Sequence, residues 1–205
     1  MAAAIVYPDD LVVMLSEDKI QLLGRVARAQ SGAAPSGDPE KPISILSLAA
    51  ASYGAKPAEE STIPTGFDPL AVVLFEAIVE GAYLVAAADG VVDAEERHVF
   101  ERVVTAACGG VVMEQQIVDL VTDLSQQLAE DGMDARVAAV AAQVHKKDHG
   151  REVLRIAALL AFASDGISDV ERDVLDNLAR GFGLEPRDVD GALSDVKAVL
   201  AANAA

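Results

Sequence analysis

Nearly the same phrase occurs twice in this chain, as AAADGVVDAEER at 86–97 and FASDGISDVERD at 162–173. Aligning 76–100 with 152–176 gives eight identical residues in 25, and the shared core reads D-G-x-x-D-x-E. In each copy an apolar segment of helical length precedes the turn, and an acidic segment comes after it. The repeat predicts a duplicated helical hairpin, in which an apolar helix, a tight turn and an acidic helix start recur.

The rest of the main region also reads as helix. Asp68-Pro69 is a typical helix start, an N-cap residue followed by proline at the first helical position. Periodicity and turn residues predict helices at about 69–88, 93–107, 113–129, 134–146, 150–164, 169–181 and 186–201. Alternating strand patterns are absent, and aromatic residues make up only 4% of the chain, with no tryptophan. The predicted fold class is therefore all-α, a bundle of closely packed helices.

Residues 1–68 differ in composition from the rest of the chain and are predicted to form an N-terminal extension to a helical domain at 69–205. Ser16 is a suitable N-cap for a helix at about 17–30, and the apolar run ISILSLAAA predicts a second helix within 43–54. Pro-, Gly- and Ser-rich stretches at 31–42 and 55–66 are typical of loops. The extension could pack on the main domain or be partly mobile, and its apolar run indicates that something covers it.

Charge and cysteine content limit the classes of function. A net charge of −17 argues against nucleic-acid binding and against docking on anionic membranes, and it suits a chain that collects cations. The single cysteine, Cys108, excludes an internal disulfide, which favours a reducing, cytoplasmic location. The start MAAAIVYPDDLVVML lacks the basic residues of a signal peptide. The apolar run 69–88 contains Glu76 and Glu80, which predicts a buried helix and no membrane insertion.

The repeated turn has a structural explanation. Gly90 and Gly166 can take the left-handed conformation that ends a helix. Capping boxes are predicted in both copies, at Asp93-x-x-Glu96 and Ser168-x-x-Glu171. Acidic residues in the first turn of a helix are also favoured by its dipole. These local requirements account for most of the motif.

Asp89 and Asp165 are not explained in this way, because they lie where the negative pole of a helix opposes a negative charge. Each could accept hydrogen bonds from the next helix, or it could ligate a cation. Carboxylates at positions 1, 5 and 7 of a turn offer hard oxygens that suit Ca²⁺ or Mg²⁺, although the EF-hand pattern is absent. The candidate metal ligands are Asp89, Asp93, Glu95, Asp165, Asp169 and Glu171.

Two segments, AAADGVVDAEERHVFERVV and LRIAALLAFASDGISDVERDVLDNLARGFGLEPRDV, resemble the TerB (tellurite resistance protein B) family. The resemblance covers about residues 69–202. It implies a compact all-helical fold whose acidic clusters, at the six positions named above, bind divalent metal. It also implies work beside stress-response protein partners, including a membrane protein of the same resistance system. The first copy has Val92 where Ser or Asp is common, which shifts its capping by one residue.

Other polar residues have both structural and functional interpretations. Glu76 and Glu152 occupy matched places in apolar helices. They could belong to a solvated stripe, hydrogen-bond a neighbouring helix, or form a second layer of metal ligands; the first two are favoured, because the Glu-x-x-His pairing of carboxylate bundles is missing. His145 and His149 have a spacing that can bind zinc, but without a third ligand they indicate a polar turn. Cys108 is interpreted as a packing residue.

Three functions remain open from the sequence. The first is a non-enzymatic, cytoplasmic TerB-like adaptor in a stress or tellurite-resistance system that binds divalent cations at its acidic turns. The second is a pure protein–protein interaction or assembly module without metal, including self-association into homo-oligomers. The third is a metal-dependent hydrolase built on the carboxylates. The chain contains no GxSxG, Walker, GxGxxG or CxxC motif, which favours a non-enzymatic protein.

Overall fold

The computed structural model describes residues 16–29, 44–55, 67–90, 92–162 and 166–203. Within those ranges the chain forms nine α-helices and no strand, so the predicted all-α class is confirmed. The helices are α1 (Glu17–Arg28), α2 (Ile45–Gly54), α3 (Pro69–Ala86), α4 (Ala94–Cys108), α5 (Glu114–Asp131), α6 (Met133–Gln143), α7 (Lys147–Ala161), α8 (Asp169–Gly181) and α9 (Pro186–Asn203). The predicted loop at 31–42, and all of the one at 55–66 except Ala55, lie outside the described residues.

Local signals set the helix boundaries. The Asp68 carboxylate accepts a hydrogen bond from the Leu70 amide at 2.9 Å, with Pro69 at the first helical position. The Ser16 hydroxyl accepts from the Lys19 amide at 3.3 Å. Helix α4 ends at Gly109, whose φ of +62° is left-handed. The caps at Asp68 and Ser16 are those that the sequence predicts, and the glycine at 109 is a common way to end a helix.

Helix α3 is the central element of the core. It packs on α2, α5, α6, α7 and α8, and Phe75, Ile78 and Val85 on it are fully buried. Among the described residues it is the one helix long and apolar enough to cross a bilayer, and 67% of that window is buried inside the protein. Its hydrophobicity is therefore used in packing against other helices.

Close helix crossings depend on glycine. A Cβ atom on Gly81 of α3 would lie 2.6 Å from Cγ1 of Val153 on α7. A Cβ on Gly24 of α1 would lie 2.8 Å from the backbone carbonyl group of Ala106 on α4. At both places the missing side chain lets two helices approach more closely than any larger residue allows.

A buried ion pair joins α3 to α6. Glu80 is 3% exposed, and its carboxylate accepts from Nε of Arg136 at 2.7 Å, while Arg136 also reaches Asp131 at 3.1 Å. Burial raises the pKa of Glu80; Arg136 opposes the shift, and Asp131 and Glu76 add to it. Arg136 thus keeps a carboxylate tolerable inside an apolar helix.

Helices α1 and α2, together called the N-terminal arm here, pack on the other helices. The main contacts of α1 are with α4, and those of α2 are with α3, while both also touch α7. The apolar side chains of the arm belong to the same hydrophobic core as those of α3 and α7. Tyr53 of α2 stacks on Phe75 of α3 with ring centroids 4.6 Å apart. The arm therefore covers one face of the remaining helices.

Candidate functional site

The first acidic turn joins α3 to α4, and Asp93 fixes its second half. The Asp93 carboxylate accepts hydrogen bonds from the amides of Glu95 at 2.7 Å and Glu96 at 2.9 Å. The Glu96 carboxylate accepts from the Asp93 amide at 2.8 Å. The predicted capping box is confirmed, and one oxygen of Asp93 is committed to it.

Two further carboxylates of this turn are exposed. Asp89 lies three residues beyond the last residue of α3, before Gly90 with a φ of +144°, and Glu95 lies in the first turn of α4. Within the described residues, neither carboxylate has a hydrogen bond or an ion pair. Their oxygens remain available to solvent ions.

The second acidic turn is organised differently. The Ser168 hydroxyl accepts from the Glu171 amide at 3.3 Å, and the Glu171 carboxylate accepts from the Ser168 amide at 2.7 Å and its hydroxyl at 2.8 Å. Asp169 is exposed at the first position of α8. Asp165 lies outside the described residues. The second capping box is therefore also confirmed, and here it engages Glu171 itself.

Aligned residues of the two turns thus have different roles in helix capping. Asp93 is the N-cap of α4, whereas its counterpart Asp169 is the first helical residue of α8. Glu95 is exposed, whereas its counterpart Glu171 closes a capping box. Position 92 holds valine where the other copy has Ser168, and valine cannot accept a capping hydrogen bond. The one-residue shift predicted from Val92 is confirmed.

The six carboxylates do not form a ready-made ligand cage in the part of the chain that the structure describes. No group of three or more His, Cys, Asp or Glu side chains there is arranged to hold a metal ion. The first turn offers Asp89, Glu95 and the second oxygen of Asp93. An ion held by so few protein oxygens would keep most of its water ligands, which suits Mg²⁺ or weakly bound Ca²⁺.

The capping role of Asp93 is testable apart from any metal. We expect Asp93→Ala to lower the free energy of unfolding by about 1 kcal/mol, because the amides of the first turn of α4 lose their acceptor. We expect Asp93→Asn to remain close to wild type, since asparagine caps equally well. Urea unfolding of both variants measures this, and equal losses in both would show that charge, not capping, is what Asp93 supplies.

A second polar cluster, which we call the buried junction, lies between α7 and the arm. Glu152 and Arg155 are 6% and 7% exposed, and Nε of Arg155 lies 2.8 Å from the Glu152 carboxylate. Arg155 also donates to the carbonyl oxygens of Val26 at 3.1 Å and Ala27 at 2.7 Å, in the last turn of α1. Glu152 accepts from the Leu46 amide at 3.3 Å, in the first turn of α2. One ion pair therefore satisfies the ends of two helices.

Sequence reasoning identified Glu152 but missed Arg155. Of the alternatives for Glu152, the hydrogen bond to a neighbouring helix is the one the structure shows. A signal for Arg155 was present, because an arginine three residues after a glutamate, inside the apolar run VLRIAALLA, predicts an internal ion pair. Its backbone partners on α1 could not be read from any local pattern.

Four further titratable residues lie outside the acidic turns. Burial raises the pKa of the Cys108 thiol to about 12, with a small opposing effect from Arg28, so the thiol is protonated at neutral pH. Burial, followed by the charge of Glu76, raises the pKa of Tyr53 to about 12. His98 on α4 is exposed, and burial lowers the pKa of His149.

The family model described as tellurite resistance protein TerB matches residues 75–194, which is 120 of the 205 residues. The chain belongs to the TerB family. The match lies within the predicted span 69–202 and contains both acidic turns, the six candidate ligands and the Glu152–Arg155 pair. No curated protein and no solved structure matches the chain. The arm lies outside the matched residues, although it packs on them.

Proposed function

We propose that this TerB-family chain is a non-enzymatic protein that binds divalent cations at its acidic turns and acts as an adaptor in a tellurite-resistance-type stress system. The observation that carries the proposal is the first turn, where Asp89 and Glu95 stay exposed while Asp93 is held by the capping box. Among the described residues these two carboxylates have no hydrogen bond or ion pair, so their charges are not neutralised by the protein. The net charge of −17 raises the local cation concentration.

The ligand chemistry favours Ca²⁺ or Mg²⁺ over softer metals. The candidate donors are carboxylate oxygens, and no histidine or cysteine lies among the six residues. In the first turn Asp89, Glu95 and the free oxygen of Asp93 would hold the ion. In the second turn Asp165 and Asp169 would hold it, and Glu171 could add its Oε1, because both contacts from Ser168 are to Oε2.

Two observations on the described residues favour a non-catalytic role. The Cys108 thiol is buried, and its pKa is raised to about 12. Between α1 and α4 there is an open cleft of about 510 Å³, and none of the six carboxylates lines it. The hydrolase alternative would require metal-dependent turnover that Asp89→Asn or Asp165→Asn abolishes.

The adaptor role rests on the family and on the surface of the helical bundle. Helix α3 is used in the core, so contact with a membrane component of the system would be made through a protein partner, from the cytoplasmic side. Cation binding would change the charge of the acidic turns and so change which partner surface they accept.

Thermal unfolding of metal-stripped protein tests cation binding. We expect added Ca²⁺ or Mg²⁺ to raise the unfolding midpoint, with stabilisation of about 1.4 kcal/mol at ten times the dissociation constant. Mn²⁺ and Zn²⁺ serve as comparison ions. The Asp89→Asn/Asp165→Asn variant is expected to lose the shift.

A charge-matched control separates site binding from general screening. Asp134→Asn/Asp195→Asn removes two exposed carboxylates elsewhere, and it should keep the wild-type response. If the control loses the shift as well, the ions act on overall charge. If no ion moves the wild-type midpoint, the turns are helix caps and the cation proposal is wrong.

The second candidate is an interaction or assembly module without metal. The observation that favours it is the buried junction, where the core binds two helix ends of the arm through specific hydrogen bonds. A protein surface that binds helices in this way can act by exchanging them. Metal titration distinguishes the two candidates, because this one predicts no response.

A further inference from the structure

The face that the arm covers has the properties of a docking surface. On the arm side the buried apolar residues are Ile20, Leu23, Val26, Ala27, Leu46, Ala49, Ala50 and Tyr53. They meet α3, α4 and α7, which belong to the family-matched region, whereas the arm does not. If the arm left, this apolar face would be exposed to water and would need another occupant.

The polar contacts on this face recognise helix ends. Arg155 takes two carbonyl groups in the last turn of α1, and Glu152 takes an amide in the first turn of α2. The arm also donates to the surface, because Arg28 of α1 donates to the Ala106 carbonyl near the end of α4. The surface therefore requires a helix C-terminus and a helix N-terminus side by side.

Close packing of α1 on α4 further limits which helix can occupy this surface. Gly24 allows α1 to lie directly on Ala106, and a side chain there would collide with the backbone of α4. Glu17, at the other end of α1, pairs with Arg102 of α4. An occupant must thus supply paired helix ends, a glycine at the crossing and an acid seven residues before it. The arm of another copy of this chain meets all of these conditions.

We infer that the face formed by α3, α4 and α7 is a docking surface that accepts the arm of a second copy of this chain, so that two copies exchange arms to form a dimer. In the closed protein the same surface is filled by the chain's own arm. Residues 56–66 connect α2 to α3 along the chain, and an exchanged arm would make on the second copy the contacts that it makes here on its own. The strong negative charge opposes the approach of two copies, and exchange is therefore expected to increase with salt.

The Glu17–Arg102 pair allows a test with charge exchange. In Glu17→Arg the arm carries an arginine that faces Arg102 of α4, so two positive charges meet. In Arg102→Glu the Glu17 of the arm faces a glutamate on α4, so two negative charges meet. When the two variants are mixed, arm exchange between them places opposite charges together at both docking surfaces, whereas each variant alone has like charges at its docking surface. Each variant, the mixture and wild type are unfolded in urea, refolded together at high protein concentration in EDTA and salt, and analysed by native mass spectrometry.

We expect heterodimers in the mixture, enriched several-fold over the dimers of either variant alone. The control is Glu17→Arg/Arg102→Glu in one chain, which restores the pair within each molecule and should show no enrichment when it is refolded with wild type. Only monomers after joint refolding would overturn the inference. Dimers at equal yield in every sample would also overturn it, because they would use another surface. EDTA keeps the outcome independent of cation binding.

Discussion

Replacing Arg155 with methionine is expected to lower the free energy of unfolding by about 3–5 kcal/mol, as for other buried ion pairs that lose one partner. The variant leaves the Glu152 carboxylate inside the protein without its cation. It also leaves the Val26 and Ala27 carbonyl groups, in the last turn of α1, without their donor. Urea unfolding followed by circular dichroism measures the loss.

Two further variants separate this effect from simple loss of charge. Arg151→Met lies one turn earlier on α7, at a half-exposed position paired with Asp148 and Asp188. It should change stability far less than Arg155→Met does, because exposed ion pairs contribute little. Glu152→Leu/Arg155→Met removes both buried charges and should recover part of the loss. If Arg155→Met is no worse than Arg151→Met, the junction does not hold the arm.

Most of the fold could be predicted because its signals are local. Asp68-Pro69, Ser16 and Gly109 define helix ends through contacts a few residues apart, and the apolar periodicity between them gives the helices. The same holds for the capping boxes of the acidic turns. The duplicated hairpin remains a prediction from the aligned residues, and so does the division at residue 68.

The candidate site was predicted less completely, and the reason is again physical. Val92 correctly indicated that the caps of the two copies differ by one residue. The sequence did not show whether the six carboxylates converge on one point. The predicted capping boxes did pair Glu171 with Ser168 and Glu96 with Asp93, so that Glu171 is engaged while its counterpart Glu95 stays exposed. These differences arise from the choice of capping residue in each turn, and they make aligned carboxylates chemically unequal.

Apart from the spacing of Glu152 and Arg155, the buried junction could not be predicted from local pattern. Arg155 binds a carbonyl 129 positions away, and Glu152 binds an amide 106 positions away. Contacts at this separation depend on how the arm folds back, and neither periodicity nor capping rules contain that information. The apolar character of the arm indicated that something covers it, whereas the place of docking came only from the structure.

Gly24 of α1 lies where the arm docks most closely on α4. Glycine in the middle of a helix is less favourable than alanine by about 1 kcal/mol, so Gly24→Ala should stabilise α1 considered alone. In the protein the new Cβ would lie 2.8 Å from the carbonyl carbon and oxygen of Ala106. Since the collision is with backbone, α1 must move away from α4, and we expect a net loss of about 1–3 kcal/mol in urea unfolding.

Gly191 provides the matched control, because it also lies within a helix but has open space around it. Gly191→Ala should raise the free energy of unfolding by up to about 1 kcal/mol. The two substitutions are chemically identical and differ only in what the added methyl group meets. Opposite signs would show that the arm is held by close contact of α1 with α4. A stabilising effect at both positions would mean that α1 is not docked on Ala106. The docking surface would then not require a glycine at this crossing.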